Sequence, residues 1–146
     1  MKKILLQILL GLGLPAGIFH TQLTGAVRGE TPVNKQISYS IIRDSNYNLQ
    51  VYDKTVAAVQ VVVFTVKNKK QTIIWHKQYN AMQVKQYPTN GNALQQTVRI
   101  KNIHDNREQL CITYIITYNT GGNIMQVQNG TSLLKGEKQG KLVINI

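Results

Sequence analysis

The chain of 146 residues holds a single cysteine, Cys111, and six acidic residues. One thiol excludes an intramolecular disulfide framework and any zinc cluster built from cysteines. The acids, Glu30, Asp44, Asp53, Asp105, Glu108 and Glu137, fall in predicted loops or at strand ends, and no two are spaced so that they must converge. Glycosidase chemistry needs two carboxylates across a cleft, and nothing in this pattern points to such a pair. Glycine-rich phosphate-binding motifs and a Gly-x-Ser-x-Gly elbow are also missing. Leucine, alanine and glutamate are sparse after residue 26, and no window carries an i, i+3, i+4, i+7 apolar stripe.

What is present begins with the leader. Lys2 and Lys3 follow Met1, a clean apolar run spans Ile8 to Leu14, Pro15 interrupts it, and Thr24-Gly25-Ala26 supplies small residues. This order matches a secretory signal peptide with cleavage after Ala26, Gly25 being an acceptable second site. The run is too short and too rich in glycine and proline for a spanning helix, which needs ~20 apolar residues. With Cys111 the sole cysteine, no residue near the cleavage site could carry a lipid. An unpaired thiol suits an oxidising compartment. The expectation is a bacterial protein exported to the periplasm or beyond the cell, with no transmembrane segment after cleavage.

The remainder is written in Ile, Val, Thr and Tyr, residues that lose little on a pleated surface and are restricted in a helix. Period-two runs bounded by turn residues mark the strands. They start at Gln36 to Arg43, with Ile37, Tyr39 and Ile41 on one face, and resume at Tyr47, Leu49 and Val51. Val56 to Val66, nearly all apolar, reads as a central strand buried on much of both faces. Thr72 to Tyr79, Leu94 to Lys101, Leu110 to Tyr118, Asn123 to Asn129 and Leu142 to Ile146 follow. Thr120-Gly121-Gly122 and Asn129-Gly130 read as turns, and residues 80–92 as an irregular loop or a further short strand. The expected fold is all-β, an antiparallel β-sandwich of about seven to eight strands, with a small β-barrel as the alternative. The expected organisation is a signal peptide at 1–26, a linker at 27–35 and one domain at 36–146.

Two hairpins follow from the alternation. Joining 110–118 to 123–129 through the Gly-Gly turn sets Met125 and Val127 on the face of Tyr114, Ile116 and Tyr118; the reverse, with Cys111, Thr113 and Gln126, is largely polar. Pairing Val63 with Trp75 gives one face of Val59, Val61, Val63, Ile73, Trp75 and Tyr79, and a reverse of Val62, Phe64, Ile74 and His76. That second hairpin is apolar on both sides, so its reverse is either covered or an interaction surface.

No catalytic constellation emerges. His76 and His104 have no partners at metal-ligand spacing. Cys111 sits in plain strand sequence, with no glycine elbow or helix N-terminus to activate it. The reading is no enzyme, no metal and no cofactor. The charge, +11 with 17 Lys and Arg, is the strongest remaining signal. Lys67, Lys69 and Lys70 crowd one hairpin tip, Arg99 and Lys101 share the outward face of a strand, and Lys135, Lys138 and Lys141 lie near the C-terminus. Such a surface attracts an anionic glycan or lipopolysaccharide. Lysine outnumbers arginine, which fits solubility and edge protection better than bidentate phosphate recognition, and no nucleic acid is expected. Abundant Asn and Gln with seven Tyr suit a surface that binds protein or sugar, or one where strands associate.

Trp75 within Ile74-Trp75-His76-Lys77-Gln78 resembles the tryptophan strand of immunoglobulin-like domains, over a few residues and without the flanking cysteine pair. The resemblance implies an immunoglobulin-like sandwich and nothing about activity. The functional expectation is a non-catalytic binding or structural protein of the cell envelope, with an envelope or extracellular protein, or an anionic glycan, as partner. The candidate interaction surface comprises Phe64, Lys67, Lys69, Lys70, Ile74, His76, Arg99 and Lys101. An enzyme with a site at the loop ends is the remaining alternative.

Overall fold

The computed structural model describes residues 30–44, 52–89 and 94–146. The expected signal peptide and the strand expected at Tyr47–Val51 lie outside the described residues. Among the described residues eight strands follow one another: β1 (Val33–Ile42), β2 (Thr55–Lys67), β3 (Lys70–Gln78), β4 (Met82–Gln83), β5 (Gln95–Ile103), β6 (Gln109–Thr120), β7 (Asn123–Leu133) and β8 (Gln139–Asn145). The regular structure of the described residues is β apart from one short 3-10 turn, and its two sheets do not close into a barrel. One sheet has the order β5-β1-β8; the other runs β3-β2-β6-β7, with β4 sharing with β3 the edge of β2 that β6 leaves open.

Alternation along each strand builds the core. Ile37, Tyr39 and Ile41 of β1 and Ile144 of β8 face Ala57, Val59, Val61 and Val63 of β2 and Leu110, Ile112 and Ile116 of β6. Burying each Ile, Leu or Val side chain contributes about 1.5–3 kcal/mol. The two sheets also meet through aromatics. The Tyr39 and Trp75 rings stand 6.0 Å apart, and the Tyr39 and Tyr79 hydroxyls lie 2.8 Å apart. Burial and that second hydroxyl hold the Tyr39 phenol well above the usual tyrosine range. Residues 80–89 hold the short strand β4 and a 3-10 turn, Val84–Gln86. They plug one end of the sandwich with Val84 and Tyr87, whose hydroxyl donates to the Ala57 carbonyl at 2.9 Å.

Several expectations need correction. The sheets are not wholly antiparallel, because β1 and β8 run parallel from Gln36↔Gln139 to Ile42↔Asn145. A parallel pair requires a crossover, and the larger sheet lies in the chain between them. Period-two alternation is the same in either direction, so it could not reveal this. β1 begins at Val33, inside the expected linker, because inward-facing Lys35 breaks the apolar pattern by which the strand was read. Asn129-Gly130 is no turn: both residues lie within β7, opposite Tyr114 and Thr113. Glycine is needed there for proximity, since a Cβ on Gly130 would stand 2.5 Å from the Ile112 carbonyl oxygen. A bulge in β3 sets Ile73 opposite Phe64 while Trp75 opposes Val63, so Ile73 leaves the core face expected of it. The reverse of β6 is less polar than expected, because Cys111 joins Val62 and Phe64 in a second buried cluster flanked by Val66.

Candidate interaction surface

The hairpin tip is the most constrained part of the expected surface. Lys67 pairs with Lys70, leaving a two-residue loop in which Asn68 (φ 50°) and Lys69 (φ 64°) are both left-handed. Two such residues define the turn whose twist matches antiparallel strands, and asparagine tolerates it better than lysine. Lys67, Lys69 and Lys70 are all exposed there, with Lys67 3.6 Å from Glu108 in an ion pair. Along the reverse of this hairpin, Phe64 is buried in the second cluster while Ile74 is 41% exposed and His76 is exposed.

Arg99 and Lys101 are exposed too, but elsewhere. They alternate with Val98 and Ile100, which point into the core from β5, so they occupy the outer face of the smaller sheet. Phe64 and His76, opposite Cys111 and Val62 respectively, occupy the outer face of the larger sheet. The two outer faces of a sandwich look in opposite directions. The expected surface therefore divides into two, and its cations do not converge.

Reactive groups are equally dispersed. Burial pushes the Cys111 thiol up to about 12, which keeps it protonated and a poor nucleophile. His76 stands on β3 and His104 in the loop after β5, where its carbonyl accepts the Arg107 and Glu108 amides. Among the described residues no group of three or more His, Cys, Asp or Glu is placed to hold a metal ion, and no helix is long and apolar enough to cross a membrane.

A different feature stands out, and sequence reading missed it. β7 is the terminal strand of the larger sheet, with its outer edge unpaired among the described residues. Its 11 residues, Asn123 to Leu133, include no charge and no proline. Ile124, Met125 and Val127 are 68%, 59% and 40% exposed. Met125 and Val127 oppose Tyr118 and Ile116, so they lie on the core-facing side of the sheet. Of that face of β7 only Leu133 is buried, because the smaller sheet does not extend over the rest. Beside Leu133, β8 approaches so closely that a Cβ on Gly140 would meet the leucine side chain at 2.6 Å. The seam between the sheets opens from that point along β7. At the opposite side the Lys77 ammonium of β3 donates to Gln96 of β5 at 3.1 Å and bridges the seam. The signal was the uncharged stretch itself, which the supposed Asn129-Gly130 turn cut in two.

Comparison with protein-family models, curated proteins and solved structures finds no match for this chain.

Proposed function

We propose that the chain is an exported, non-catalytic binding or structural protein of the bacterial cell envelope, with an immunoglobulin-like sandwich that engages its partner along the β7 edge. The observation that carries this reading is the long, uncharged, solvent-facing edge with Met125 and Val127 beside it. Soluble proteins normally blunt such edges with lysine, proline or a bulge, because open N–H and C=O groups recruit further strands. A partner strand added there gains main-chain hydrogen bonds and covers the two apolar side chains. Trp75, set against Tyr39 of the facing sheet, supports the immunoglobulin-like comparison. The leader residues, Lys2 to Ala26, support export. Dispersal of the cations over two outer faces favours a protein partner over an anionic glycan.

Two measurements test the reading. Intact mass of the chain recovered from the envelope fraction should correspond to a start at Val27; an uncleaved chain retained in the cytosol overturns export. Envelope extract passed over the immobilised protein and over its Val127→Lys variant should leave a component held by the first and lost from the second. Equal recovery on both overturns the edge assignment.

A further inference from the structure

Resting on that reading of the edge, we infer that the strand β7 receives is the β7 of a second copy of this chain, antiparallel to it about a two-fold axis. The argument is one of charge. The described strands leave four sheet edges, and the other three carry cations: Lys70 and Lys77 on β3, Arg99 and Lys101 on β5, and Lys141 on β8. The chain is formally +11, so two copies meeting through any of those edges bring like charges together. Only β7 against β7 adds no charge to the contact. An acidic foreign strand, by the same reasoning, is drawn to the lysine-bearing edges and finds nothing on β7 to select it.

The side chains of β7 are also suited to their own kind. About an axis through Gln126, that amide meets its own copy and Asn123 meets Asn129, side chains that each carry both a donor and an acceptor. Met125 and Val127, on the side facing the open seam, would be covered by the same residues of the other copy. An antiparallel pair of identical strands is isologous and closes on itself, giving a dimer and not a filament. It would join the larger sheets of two molecules into one continuous sheet.

The repulsion between two basic bodies gives the test its sign. Salt screens charges over a Debye length of about 8 Å at physiological strength, so added salt should tighten this dimer. Anion binding by the lysines would weaken with salt instead. The protein as the cell processes it should run as a dimer by light scattering, with a dissociation constant that falls as sodium chloride is raised. Val127→Lys should raise that constant roughly tenfold or more, whereas Gln71→Lys, on the exposed β3 edge, should leave it unchanged. Hydrogen exchange of the unmodified protein gives a readout free of any folding defect in the variants: β7 amides should be protected at high protein concentration and exposed on dilution. A monomer at the highest soluble concentration, or β7 exchange indifferent to dilution, overturns the inference. If that monomer still loses its envelope component on Val127→Lys, the edge reading stands and only the second copy is wrong; if it does not, both fall.

Discussion

Replacing Asp105 by alanine removes the counter-ion of a lysine that has nowhere else to go. Lys35, 2% exposed on β1, forms an ion pair with Asp105 and donates from Nζ to the Leu134 carbonyl at 3.1 Å. The second Asp105 oxygen accepts the Gly136 amide at 3.0 Å, and Glu137 accepts the Leu134 amide at 2.7 Å. The pair thus ties the first strand to the loops after β5 and after β7. Breaking a buried pair from one side costs about 3–5 kcal/mol, because the remaining charge is uncompensated. Lys35→Met removes that charge and leaves the carboxylate its Gly136 bond, so it should cost less, about 1–2 kcal/mol. The double variant should then sit close to Lys35→Met, with a coupling of about 3–5 kcal/mol. Urea unfolding followed by Trp75 fluorescence measures all three. Asp105→Ala should lower the melting temperature by roughly 10–20 °C, taking roughly 4 °C per kcal/mol for a domain of this size. Additive losses, or an Asp105→Ala loss under about 1 kcal/mol, would refute the claim that Lys35 depends on this partner.

The same unfolding assay checks three smaller predictions, and a labelling experiment checks a fourth. Lys69→Gly should stabilise by about 1 kcal/mol, since glycine adopts φ 64° without the clash a Cβ brings; no gain would mean that the turn is relaxed already. Gly130→Ala should cost about 1–3 kcal/mol, because the new methyl meets the Ile112 carbonyl of β6, a backbone atom that yields only if the strands part. Cys111 and Tyr87 are both raised by burial to about 12, above their unfolded values near 9 and 10. The unfolded chain therefore gives up protons first: stability is full below pH 9 and falls above it by up to about 1.4 kcal/mol per pH unit for each group. Iodoacetamide should label Cys111 at pH 8 only after urea unfolding; rapid labelling of the native protein would contradict its burial.

Much of the fold was legible from period two alone. The Val63–Trp75 pairing, and Met125 and Val127 sharing a face with Tyr118 and Ile116, recur as expected. Alternation is a local property that burial imposes on each strand, so it survives in the sequence. Strand direction, bulges and the reach of one sheet over another are not local. The parallel β1–β8 pair joins the two ends of the chain, and the β3 bulge shows only once Phe64 has a partner to be miscounted against. Gly130 misled for a related reason. The same glycine permits a tight turn or a close approach, and only the neighbouring strand distinguishes the two. Lys35 was obscured because its counter-ion lies far along the chain, at Asp105.

The basic composition changes meaning once each cation is located. Lys35 is interior; Lys67 and Lys85 stand against Glu108 and Asp53. Lys77 bridges to Gln96 and lies 4.8 Å from the centre of the Tyr79 ring. Lys70, Arg99, Lys101 and Lys141 mark the edges of β3, β5 and β8. These positions account for much of the excess as internal pairing and edge protection, with no anionic ligand required. The absence of charge then becomes the informative quantity. A fold that guards three of the four edges among its described strands with cations and leaves the fourth, 11 residues long, bare has spared that edge the repulsion built into the rest. The sign of the salt response at β7 therefore tests an arrangement fixed by the fold, which total charge could never have disclosed.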